Sequence, residues 1–137
     1  MSNFSISVRN HDLATVLHIS GFLDAHTAPQ LESRLESLIR DGAYNLVVNF
    51  DELDYISSAG LGVFMVFIEE VRSNEGDIKL VKMKPKVFTV FDLLGFPMLF
   101  DILDNEDDAF VRFNEKGGSR DAEQDVNDSS EIRRGPQ

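Results

Sequence analysis

The segment Ser57-Ser58-Ala59-Gly60-Leu61-Gly62 constrains this chain more than any other, because it joins a strand-like run to an apolar helix. Tyr44-Asn45-Leu46-Val47-Val48-Asn49-Phe50 precedes it and reads as a strand. Val63-Phe64-Met65-Val66-Phe67-Ile68 follows it and is apolar enough to be core. A strand turning into a helix presents its first hydroxyl at the helix N-terminus, where free N–H groups and the macrodipole favour negative charge. A serine there has four possible roles: cap, nucleophile, phosphate-binding element or phosphate acceptor.

The rest of the pattern alternates strands and helices. Phe4 to Val8 alternates apolar and polar residues, as a half-buried strand does, and Leu13 to Ile19 is a second strand. Thr27 and Gln30 have capping-box spacing, and Pro29 suits a first turn. Leu31, Leu35, Leu38 and Ile39 continue that helix until Asp41-Gly42 stops it. The central helix runs from Ser57 or Ser58 to about Arg72, and Ile78 to Met83 is a fourth strand. Pro85 starts a further helix striped by Val87, Phe88, Val90, Phe91 and Leu94 and ended by Gly95. Phe96 to Leu103 holds a short last strand, and a final helix passes through Ala109 to Phe113. The order β-β-α-β-α-β-α-(β)-α predicts an α/β domain: a mixed sheet of four to five strands packed against helices. The domain is expected over 1–113, and 114–137, almost without apolar residues, reads as a disordered polar tail.

Composition removes several function classes. The chain of 137 residues carries 24 Asp+Glu against 13 Lys+Arg, a net charge of −11, which disfavours nucleic acid and anionic membrane as partners. Lys79, Lys82, Lys84 and Lys86 read as a solvated rim. Cysteine is absent, so thiolate chemistry is excluded, and a reducing cytoplasm is the expected location. No apolar run is long enough to span a bilayer, and Met1-Ser2-Asn3-Phe4 lacks the charged start of a signal peptide.

Catalytic readings of the Ser57–Gly62 segment fare poorly. A nucleophile elbow needs Gly-x-Ser-x-Gly, and position 56 is Ile. His11, His18 and His26 all lie early in the chain and lack the spacing of a metal site on one element. Gly60-Leu61-Gly62 has no following lysine, so it is not a phosphate loop. Asp51-Glu52-x-Asp54 reads as a polar turn after the strand, and Glu69-Glu70 as the wet face of the central helix. No catalytic residue or metal site is expected, which leaves capping and phosphate acceptance. Ala59, Gly60 and Gly62 are small, and the glycines cost helix propensity, which suggests that a bulky partner approaches the backbone from outside.

At this point the residues resemble a known family. Asp54 to Gly62, Gly21 to Ala28 and Phe91 to Phe96 together resemble the signature segments of bacterial anti-sigma factor antagonists, single-domain STAS proteins, over about residues 4 to 113. The resemblance implies that Ser58, two places before Gly60-Leu61-Gly62, is phosphorylated by a serine kinase that is itself the anti-sigma factor. The unphosphorylated protein binds that kinase, the phosphorylated form releases it, and a serine phosphatase resets the switch. The resemblance further implies that Asp24 and Thr27 lie near the acceptor and, with Ser57, Ala59, Gly60, Leu61 and Gly62, meet the partner. The resemblance also implies that the protein binds no cofactor, any ATP and Mg²⁺ belonging to the kinase. An alternative output, such as secretion, biofilm formation or two-component signalling, uses the same partner switching without a sigma factor.

Two departures mark this chain. Much of the family has Asp before the acceptor, where Ser57 stands, and many members have Ser or Thr after it, where Ala59 stands. Ser57 is therefore the second choice of acceptor. Phosphate adds about −1.5 to −2 charges near neutral pH. Moving a complex from about 99% bound to 1% needs roughly 5.5 kcal/mol, more than a screened rim charge supplies. The acceptor must therefore lie inside a partner's footprint.

Overall fold

The computed structural model describes residues 3–118. In chain order the elements are β1 (Phe4–Asn10), β2 (Thr15–Leu23), α1 (Ala28–Arg40), β3 (Asn45–Ile56) and α2 (Ser58–Ser73). There follow β4 (Asp77–Val81), α3 (Pro85–Leu93), a 3-10 turn (Phe96–Met98), β5 (Ile102–Leu103) and α4 (Glu106–Gly118). The five strands lie in sequence order in one mixed sheet. β1 is antiparallel to β2, and the remaining neighbours are parallel. The α/β arrangement expected from the pattern is the one observed. α4 ends at Gly118, and the polar segment expected as a tail lies, beyond that point, outside the described residues.

Strand alternation distributes the core over both faces of the sheet. Leu17, Ile19, Leu46, Val48, Phe50, Ile78 and Leu80 pack with α1, α2 and α3 in the larger cluster. Val16, Val47 and Val81 point the other way and meet Ala109, Phe110 and Phe113 of α4. α1 contributes Leu31, Leu35 and Ile39 at helical spacing, each worth about 1.5–3 kcal/mol over exposure. Beneath α2 and α3, Phe50 and Phe91 meet edge to face at 5.5 Å, and Phe91 meets Phe96 likewise at 5.4 Å. Gly95 takes φ 77 to turn the chain out of α3, the stop expected there.

Three local readings need correction. Asp51, Glu52 and Asp54 do not form a turn, because β3 runs on to Ile56. Register shifts against β2 break the simple alternation there, so exposed residues come in pairs around buried Leu53. Thr27 is the N-cap of α1 but makes no side-chain cap bond, so the expected capping box is not formed. Lys79 is not on a solvated rim. It is 4% exposed, on the sheet face covered by α4, where its Nζ lies 2.9 Å from Asp77 Oδ2 and 2.7 Å from Asp101 Oδ2.

That buried ammonium organises a chain of ion pairs. Arg72 Nε at the end of α2 lies 2.9 Å from Asp77 Oδ1, and Arg112 of α4 lies 3.4 Å from Asp101. Lys79 also stands 4.8 Å from the centre of the Phe113 ring. Burial raises the Asp101 pKa, but the bond and charge of Lys79 together with Arg112 hold it below its ordinary value. Asn49, 4% exposed, donates to Glu106 Oε2 at 2.8 Å, tying the start of α4 to β3.

Candidate functional site

β2 and β3 end side by side, with Leu23 paired to Ile56. The next backbone group on β3, Ser57 N–H, donates to the Leu23 carbonyl at 2.9 Å. Ser57 is extended at φ −105 and ψ 173, and its carbonyl accepts from Leu61 N at 3.1 Å as the first bond of α2. The N-cap of α2 is therefore Ser57, and Ser58 is the first helical residue, exposed to solvent. Of the two serines that could cap this helix, Ser58 does not. Ser57 does not cap with its side chain either: its Oγ is buried and has no hydrogen-bond partner among the described residues.

The small residues around Ser58 have different causes. A Cβ on Gly60 would stand 2.7 Å from Leu23 Cγ, 2.9 Å from the Leu23 oxygen and 3.1 Å from Ile56 Cγ1. Gly60 is therefore required by the close approach of α2 to the strand ends, not by an outside partner. Leu61 is buried beside it in the main core. Gly62 faces open space, where an added Cβ would meet nothing within 4 Å, and Ala59 is exposed. Only these last two fit the expectation of an external approach.

The loop after β2 forms the other side of the site. Asp24 Oδ1 accepts from His26 N at 2.9 Å and Thr27 N at 3.2 Å, closing the loop on itself. Thr27 Oγ1 accepts from Asp24 N at 2.9 Å and donates to the Phe22 carbonyl at 2.8 Å. Thr27 is buried and Asp24 half-buried, so this pair holds the loop in shape. Because Leu23 bonds to Ser57, that shaped loop is brought beside the start of α2. Sequence spacing alone places these segments more than thirty residues apart. The tertiary structure makes them one rim, at the carboxyl ends of two parallel strands.

Two aromatic residues on this rim were not singled out by sequence reasoning. Phe22 and Tyr55 pair across the strands at 5.8 Å between ring centres, yet remain 45% and 48% exposed. Lys84, read from sequence as a freely solvated lysine, is paired: its Nζ lies 2.6 Å from Asp54 Oδ1 and links the start of α3 to β3. That bond and the lysine's charge hold the Asp54 carboxyl below its ordinary value. Simple alternation would place Tyr55 on the face of buried Leu53, so neither its exposure nor the ion pair has a signal in the sequence.

Among the described residues no histidine bonds the Ser57 hydroxyl. His11 stacks on Phe110 at 3.7 Å, and His18 Nε2 lies 3.9 Å from Glu52. Among the described residues no group of three His, Cys, Asp or Glu side chains could hold a metal, and no helix is long and apolar enough to cross a membrane.

Residues 5–109 match the STAS domain family. The chain belongs to that family. BtrV, a putative anti-sigma factor antagonist of Bordetella bronchiseptica, is 33% identical over 95 residues, which are 69% of this chain and 82% of the relative. The anti-sigma-B factor antagonist of Bacillus subtilis is 29% identical over 100 residues, 73% of this chain and 91% of that protein. Among solved structures, Bacillus SpoIIAA in its phosphorylated form has a TM-score of 0.62 at 23% identity, covering 79% of this chain and 98% of that one. The unphosphorylated form of SpoIIAA, an anti-sigma factor antagonist, has a TM-score of 0.71 at 23% identity, covering 81% and 97%. At that identity the likeness is one of fold. The resemblance read from the three sequence segments is thus carried by the whole STAS domain.

Proposed function

We propose that this STAS protein is an anti-sigma factor antagonist switched by phosphorylation of Ser58. In this reading the unmodified protein binds an anti-sigma factor that is also its serine kinase, within the cytoplasm. Phosphorylation releases the kinase to hold its sigma factor, and a serine phosphatase returns the antagonist to its binding form. The observation that carries the reading is the position of Ser58: exposed, first in α2, and on the rim shared with the Asp24–Thr27 loop. The similarity to proteins named as anti-sigma factor antagonists supports the same conclusion.

The physical chemistry of the position suits a switch. A phosphate on the first residue of a helix is favoured by the helix's own free N–H groups and dipole. It therefore leaves the domain folded while changing what the rim presents. Ser58, Ala59 and Gly62 supply the contact surface in this reading, with Asp24 at its border. Buried Thr27, Gly60 and Leu61 shape that surface from beneath, and Ser57 marks its edge. A partner closing over Ser58 meets both the charge and the bulk of the phosphate in a partly dry interface, where a few kcal/mol become available.

The test is direct. With the cognate kinase and ATP, intact-mass analysis should show one added phosphate on the wild type and none on Ser58→Ala. Labelling that survives Ser58→Ala but is lost in Ser57→Ala would move the acceptor to Ser57. Ser58→Asp should bind the kinase at least tenfold more weakly, and undiminished affinity would overturn the switch.

A further inference from the structure

A cleft of about 470 Å³ opens between the start of α3 and the edge strand β5, apart from the Ser58 rim. Met83, Pro85, Phe88, Ile102 and Leu103 form its walls, and Lys82 and Asp104 flank it. The volume falls in the range of small-molecule sites, which are typically apolar with a few polar groups fixing orientation. Phe88 keeps 37% of its surface exposed, an uncovered aromatic ring beside half-buried Met83, Ile102 and Leu103.

The charges at the cleft are arranged unequally. The lysines on either side of Lys82 in sequence are engaged, Lys79 with Asp77 and Asp101, and Lys84 with Asp54. Lys82 makes no ion pair among the described residues and is exposed. Its backbone is held at φ 61, a region that side-chain-bearing residues seldom occupy, and its N–H donates to the Leu103 carbonyl at 3.2 Å. That bond fixes the Lys82 backbone between β4 and β5, at the cleft that this residue lines. The positive end of α3 opens at Pro85, on the same wall.

We propose that this cleft binds a small monocarboxylate with an aromatic or branched apolar body. The carboxylate pairs with Lys82, and the body lies against Phe88, Met83 and Leu103. Asp104 disfavours a second negative charge, so dicarboxylates and phosphorylated metabolites are selected against. The proposal is one of binding and involves no covalent step.

The full chain, labelled with ¹⁵N, would be titrated with phenylacetate as probe and with neutral phenylacetamide as its control. Saturable shifts confined to Met83, Phe88, Leu103 and their neighbours are expected. Lys82→Gln, at an exposed position, should weaken phenylacetate binding at least fivefold while leaving phenylacetamide unchanged. Phe88→Ser should weaken both. The proposal is overturned by absence of saturation up to the solubility of the probe, or by affinity indifferent to Lys82→Gln. It is equally overturned if the cleft resonances move with protein concentration alone, because a second copy of the chain would then be the occupant.

Discussion

Gly60 of α2 lies directly against Leu23 at the end of β2, so close that a Cβ would stand 2.7 Å from Leu23 Cγ and 2.9 Å from its carbonyl oxygen. That oxygen also receives the Ser57 N–H. One contact thus sets both how near α2 comes to the sheet and where Ser58 emerges from it. The glycine belongs to the scaffold of the rim.

Gly60→Ala should therefore destabilise the domain by about 1–3 kcal/mol, since the neighbour includes backbone that cannot move aside cheaply. Gly62→Ala faces open space within the same helix and should be neutral or stabilising by up to about 1 kcal/mol. Urea denaturation of the two variants checks the contrast, and equal losses would refute it.

Ser57 carries a buried hydroxyl with no partner among the described residues. Removing such a group relieves its desolvation cost, so Ser57→Ala should leave stability unchanged or raise it by about 1 kcal/mol. A loss of more than about 1 kcal/mol in the same denaturation assay would mean that the hydroxyl caps α2 after all.

Lys79 neutralises Asp77 and Asp101 from a position 4% exposed. Lys79→Met keeps the volume but leaves the Asp77 carboxylate, also nearly buried, with Arg72 as its remaining ion-pair partner. The expected cost is about 3 kcal/mol, at the lower end for breaking a buried pair because of that remaining arginine. Far-UV circular dichroism during thermal unfolding would show it as a lowered Tm.

Glu106 gives a pH dependence with a definite sign. Burial raises its pKa, but the bonds from Asn49 and Arg9 and the charge of Arg9 hold it below its ordinary value. A carboxyl lowered in the folded state contributes stability above its unfolded pKa of about 4.3, lost as pH falls through the folded value. Glu106→Gln should thus be less stable than wild type at pH 7, with the difference shrinking below about pH 4. Urea midpoints measured across that range test it, and a gap independent of pH would contradict the linkage.

Much of the fold was legible because its elements are locally encoded. Leu31, Leu35 and Ile39 announce α1 by their helical spacing. β3 is announced instead by an unbroken apolar run, Leu46-Val47-Val48, which needs no alternation because helices cover both faces of the sheet there. The misreadings share a cause. Asp51, Glu52 and Asp54 resemble a turn because bulged pairing with β2 disrupts their period, and that pairing depends on residues thirty positions away. Lys79 resembles a surface lysine because its carboxylate at Asp101 and the ring of Phe113 arrive from later elements.

By itself the sequence determined that a buried strand would turn into a helix at Ser57-Ser58, since the two hydrophobic patterns meet there. It also determined the α/β order and the family likeness carried by its short segments. Only the tertiary structure decided that Ser57 would be the N-cap and Ser58 the exposed first residue of α2, that Gly60 answers to Leu23, and that Gly62 does not. The physical reason is range. Periodicity is written within a few neighbouring residues, whereas exposure and close approach depend on which distant strand end packs against the helix.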